Sequence, residues 1–142
     1  MREIKFRGKR VDNGTWVYGQ YFMTPLSDEN SGLRPEAGWF FLTGEKRHCI
    51  ARDGVSFVVI PESVGQYTGL KDKNGKEIYE GDVLRYTKVG GHSSRGIVKY
   101  VTEFARWEYW HTQQKQGFPV LSDHDNMEVI ASIHETPELL EV

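Results

Sequence analysis

Apolar and polar residues alternate along this chain in short runs, and Gly, Asn and Asp cut the runs before any amphipathic helix of normal length can form. Ile4 and Phe6 alternate with Lys5 and Arg7, Asp12-Asn13-Gly14 supplies a turn, and Trp16, Tyr18 and Tyr21-Phe22 continue the return. This predicts a hairpin over residues 3–22, irregular at Gly19. Residues 65–86 repeat the scheme more tightly. Tyr67 and Leu70 precede Asn74-Gly75, Ile78 and Tyr79 follow it, Glu80-Gly81-Asp82 punctuates, and 83–86 restarts a strand. Asn-Gly between two such runs predicts a type I′ turn, which needs φ > 0 at both central positions.

The remaining elements follow from the same punctuation. Residues 24–38 have loop composition, and 39–42 form a short apolar run. Strands are expected at 48–51 and 55–60 around the turn Arg52-Asp53-Gly54, with one helical turn at 61–64, where Pro61 presets φ. A flexible connection at 88–95 leads to strands at 96–101, 104–111, 118–121 and 127–133. The end reads as a brief helix, with Thr136 as N-cap, Pro137 in the first position, and Leu139 and Leu140 docking it. The fold class is mainly β, with a short C-terminal helix. An offset of 61 aligns Gly8, Asn13, Gly14 and Tyr18 with Gly69, Asn74, Gly75 and Tyr79. Internal duplication and reuse of one turn chemistry both account for this; four identities favour reuse.

Composition narrows the class. A chain of 142 residues fits one domain or two small lobes, and Cys49, its only cysteine, permits no intrachain disulfide. The opening is charged from the second residue, and no run approaches the ~18 apolar residues of a membrane span, so a cytoplasmic protein without membrane contact is expected. The net charge of −2 argues against a dedicated nucleic-acid binder, but it is unevenly spread. Arg2, Lys5, Arg7, Lys9 and Arg10 crowd the first ten residues; after Lys115 there are six acids and no base. Either the two ends pair, within or between chains, or the basic region meets an acidic partner.

The segments VGQYTGLKDKNGKEIYEGDVL, IKFRGKR followed by WVYG, and EVIASIHETPELL, in this order, resemble the YopX family of small phage and prophage proteins. Ala131-Ser132 departs from the Gly-Asn expected there. The resemblance implies a phage origin, hence a bacterial host cytoplasm, and a later part like an SH3-type barrel. It implies no activity and carries over no catalytic residue. The domains expected are therefore a β-hairpin region with its long loop over 1–60 and an SH3-like small barrel over 61–142.

Candidate chemistry is sparse. His48, Cys49, His92, His111, His124, His134, Asp123 and Asp125 are metal-ligand types, yet no HxH, HxxxH or CxxC spacing aims them together, and neighbours on a strand face opposite ways. No metal or cofactor is expected. Glu77, Glu80 and Asp82 could supply carboxylate chemistry, but Asp after Gly commonly caps its own turn. Nucleic-acid binding would use Arg95, Lys99 and Arg106 on phosphates and Tyr100, Trp107, Tyr109 and Trp110 for base stacking, with the 88–95 loop offering backbone amides. Against it, tryptophans of small β domains mostly fill cores. Protein association, including a homo-oligomer that covers sheet edges, is favoured; nucleic-acid binding is the alternative.

Overall fold

A computed structural model describes residues 3–25, 46–87, 90–91, 93–111, 114–119 and 126–135. Eleven strands run among them: β1 (Phe6–Lys9), β2 (Trp16–Pro25), β3 (Lys46–Arg52), β4 (Val55–Val58), β5 (Gly65–Lys71), β6 (Glu77–Tyr79), β7 (Asp82–Thr87), β8 (Ser93–Val101), β9 (Arg106–His111), β10 (Gln116–Pro119) and β11 (Met127–Ser132). They form two antiparallel sheets, ordered β4-β3-β2-β1-β5-β6 and β10-β9-β8-β7-β11. A 3-10 turn spans Pro61–Ser63. The chain divides into two compact units, residues 3–66 and the residues from 67 onward.

In the first unit, β2 is ten residues long because it serves two partners. Trp16 to Gly19 pair with β1, and Gln20 to Pro25 pair with β3. Gly19 stands at the changeover, where any Cβ would run into the Ala51 carbonyl oxygen. What marks Gly19 is therefore a close backbone approach that only glycine permits. Thr24 and Pro25, expected in the following loop, extend β2 instead; proline is tolerated because Pro25↔Lys46 is the last pair of the ladder. Asp53 (φ 52°) and Gly54 (φ 80°) join β3 to β4 in the type I′ geometry. An Arg10↔Val59 bridge, with Val11 N–H donating to the Val58 carbonyl at 3.0 Å, returns the end of β4 to the end of β1. Ile50, Val59 and Cys49 lie buried within.

In the second unit, alternation sorts the sheet into two faces. Leu84, Val98, Trp107, Tyr109, Met127 and Val129 point to one side and, with Ile78, form its core. Tyr109 stacks on Tyr86 and Phe118, with ring centroids 6.0 and 5.4 Å away. The pairings give an open order of five strands, and no closure into a barrel is found among the described residues.

The loop at Asn74-Gly75 is a turn of another kind than expected. Gly75 has φ +81°, but Asn74 does not share a positive φ. Gly75 N–H donates to the Asp72 carbonyl at 3.0 Å, and Asp72 N–H donates to the Lys76 carbonyl at 2.8 Å. This is a type I turn closed by a left-handed glycine. The reason is Asp72, whose Oδ1 accepts from the backbone N–H groups of Asn74 and Lys76, both at 2.9 Å. At the first hairpin Gly14 N–H instead reaches back to Arg10, so the aligned segments share turn residues and not turn geometry. Two further boundaries move. Phe104 and Ala105 belong to the β8–β9 turn, Ala105 at φ 49°, and β8 begins at Ser93. The expected strand at 39–42 and the C-terminal helix at 136–140 lie outside the described residues.

Candidate binding surfaces

The seven residues assembled for base and phosphate contact do not share one surface. Trp107 and Tyr109 are both 6% exposed and belong to the core. Tyr100 pairs with Trp107 on the core side and packs edge-on against it at 5.1 Å, although it remains 43% exposed at the rim. Arg95, Lys99, Arg106 and Trp110 take the opposite face. There Lys99 Nζ lies 5.4 Å from the Trp110 ring, and the Arg106 guanidinium lies 4.9 Å from Phe104. Two acids share this face. Glu108 is buried and accepts two bonds from Arg106 at 2.7 and 2.8 Å, and Glu128 pairs with Arg85. The Arg85 bond holds the Glu128 carboxyl below its ordinary range. Of the 88–95 loop, Lys88, Val89 and His92 lie outside the described residues.

Most of the basic opening is engaged close by. Arg7 and Lys9 lie over Trp16 at 4.4 and 5.5 Å, Lys5 pairs with Glu3 at 3.6 Å, and Arg10 pairs with Asp12 while covering Phe57 at 4.7 Å. The hydrogen bond from Arg10 lowers the Asp12 carboxyl. Of the six acids after Lys115 that could pair with this region, Glu128 pairs with Arg85 and Glu135 closes a turn through its backbone N–H on the Ser132 carbonyl, while Asp123, Asp125, Glu138 and Glu141 lie outside the described residues.

Two shallow grooves, each of about 310 Å³, flank Phe57 in the first unit. One lies beside the Arg10–Asp12 turn and reaches Cys49; the other opens between Trp16, Val17 and Tyr18 on β2 and Arg52, Val55 and Phe57. Sequence reasoning missed this second groove. Its only trace was Gly19, after which β2 exchanges β1 for β3 as its partner.

The reactive-group candidates are held in structural roles. Cys49 is buried, and desolvation pushes its thiol up. His48 points the other way and meets Tyr21 Oη at 2.5 Å; burial, then the nearby Cys49, raises the Tyr21 phenol. Asp82 is fully buried and accepts from Tyr79 N–H at 2.8 Å, the cap of its own turn. Glu80 is raised by burial alone. Among the described residues no group of three or more His, Cys, Asp or Glu could hold a metal ion; His92, His124, Asp123 and Asp125 lie outside them. Nor, among the described residues, is any helix long and apolar enough to cross a membrane.

Two antiparallel sheets with these exposed aromatic surfaces define a small, mainly β protein. The family description "YopX protein" matches residues 5–141, so the chain belongs to the YopX family. Two solved structures share the fold. Protein EF1440 from Enterococcus faecalis is 24% identical, with a TM-score of 0.53 over 99% of both chains. Protein yopX from Bacillus subtilis is 16% identical, with a TM-score of 0.52 over 97% of this chain and 96% of that one. No curated protein matches the chain.

Proposed function

We propose that this protein is a phage or prophage accessory protein that works by binding protein, and that the unit of residues 3–66 takes an extended apolar segment in the groove between Trp16, Tyr18, Val55 and Phe57. One observation carries the reading. Tyr18 and Val55 stay exposed on either side of a cleft whose other walls are Trp16 and Phe57. Aromatic anchors beside a concave apolar surface are the residue types and shape that dominate protein interfaces. Arg52 lines the cleft and pairs with Asp53 at its tip, so the walls left for recognition are apolar.

The bound segment comes from another protein or from a second copy of this chain. Selection from a random peptide library, followed by amide-shift mapping, tests the reading. Enriched peptides should shift the resonances of residues 16–18 and 52–57. Tyr18→Ser with Val55→Ser should weaken them about thirtyfold, on the scale of about 1 kcal/mol for each apolar side chain taken from the groove. Peptides that map elsewhere, or bind the double variant equally, refute it. Light scattering over a range of concentrations decides whether the partner is a second copy.

A further inference from the structure

We infer that the outer face of the five-stranded sheet binds single-stranded nucleic acid, a second surface independent of the peptide groove. The face is read from the ladder. Lys99 pairs with Glu108, Ile97 with Trp110 and Val101 with Arg106, so Lys99, Trp110 and Arg106 project together, and Arg95 joins them along β8. Trp110 remains 37% exposed there, and Phe104, at the β8–β9 turn, is 60% exposed. Each of these two rings already carries a cation, Lys99 on Trp110 and Arg106 on Phe104.

That combination has a specific chemistry. A ring with an ammonium beside it offers a stacking platform for a base and a counter-charge for the phosphate linked to that base. Alternate residues of β9 stand about 6.8 Å apart, so Trp110 and Arg106 lie two such steps from each other, and the strand can track an extended backbone. Charge on the face is selective. Glu108 is committed to Arg106 and Glu128 to Arg85, whereas Arg95 and Lys99 make no ion pair among the described residues. A single strand fits better than a duplex, since the stacking surfaces need unpaired bases.

Fluorescence anisotropy with a labelled oligo-dT of about 12 nucleotides tests this on the full chain. Binding should weaken with salt at a log–log slope of about −1.4, as for two phosphates neutralised by Arg95 and Lys99 on a single strand. Trp110→Ala should weaken binding at least about fivefold, the low end for loss of one stacked base. Arg95→Gln with Lys99→Gln should remove most of the salt dependence. Tyr18→Ser should leave DNA affinity as it was, which separates this surface from the groove. No binding at low salt overturns the proposal. So does a Trp110→Ala variant, folded by circular dichroism, that binds like the parent, or a duplex that binds as tightly as the single strand.

Discussion

Asp72 ties two parts of the second unit together, and replacing it should be among the costliest changes a polar residue there allows. Its side chain is 5% exposed. Oδ1 accepts from Asn74 and Lys76 within the turn, while Oδ2 reaches across to Val129 N–H on β11 at 2.9 Å. Beside it, Lys73 N–H donates to the Met127 carbonyl at 3.0 Å. The turn thus occupies backbone groups on the edge of β11 that faces away from β7.

Asp72→Ala removes all three bonds to the carboxylate. Hydrogen bonds to a charged group are worth about 1.5–3 kcal/mol each, but Asn74 and Lys76 sit at the surface and can turn to water. The Val129 N–H is buried and cannot, so it costs about 1–3 kcal/mol unpartnered. With about 1 kcal/mol lost for each of the two turn bonds even so, a loss of about 3–5 kcal/mol follows. Asp72→Asn keeps an oxygen for the turn but presents N–H₂ to the Val129 N–H, so it should cost about 1–3 kcal/mol. Urea melts at matched m-values read both, and the order parent, Asn, Ala is the expected result. An Ala variant within about 1 kcal/mol of the parent, or an Asn variant as damaged as Ala, refutes this account of the turn.

Three further outcomes follow from named residues. Gly75→Val should cost more than about 1 kcal/mol by thermal melting, because φ +81° strains a β-branched residue although the space around it is open. Burial raises the Glu80 carboxyl in the folded state, so folded protein holds that proton more tightly than unfolded chain. Stability from this residue is therefore intact below its ordinary value near 4.5 and falls as pH rises through the raised one; Glu80→Gln should lift Tm at neutral pH and not in acid. Cys49 should react slowly with alkylating reagents at neutral pH and fast once denaturant opens the unit, since both burial and its raised thiol oppose attack.

Strands were legible wherever alternation and glycine punctuation agreed, and the mainly β class follows from that. Turn types were less so. Asn74-Gly75 carries the usual type I′ signal, yet Asp72 offers two acceptor bonds that hold Asn74 out of the left-handed region, and Asp53-Gly54 adopts the type I′ turn instead. A local dipeptide preference lost to a side chain two residues upstream. The binding surfaces were half legible. Alternation places Trp107 and Trp110 on opposite faces, but the side that faces the core depends on β7, β10 and β11, which no window on β9 contains. Likewise the groove brings residues 16–18 beside 52–57, a juxtaposition that no spacing along the chain reports.

The sheet edges bear on how such a protein meets partners. An open edge invites pairing with another strand, and a second copy is one way to cover it. Along β11 that reason falls away, because Asp72 and Lys73 occupy Val129 N–H and the Met127 carbonyl from within the same unit. β10 ends at Pro119, which has no N–H to offer a neighbour. β4 sends its last carbonyl to Val11. With these edges occupied or blunted by the chain itself, recognition is left to side chains on faces and in grooves, where Tyr18, Val55 and Trp110 stay exposed. Asp72→Ala separates the two modes: it should free the β11 edge and make the protein associate with itself as concentration rises, without changing peptide selection by the groove. If the variant instead stays monomeric at every concentration while unfolding more easily, edge cover is not what the turn provides.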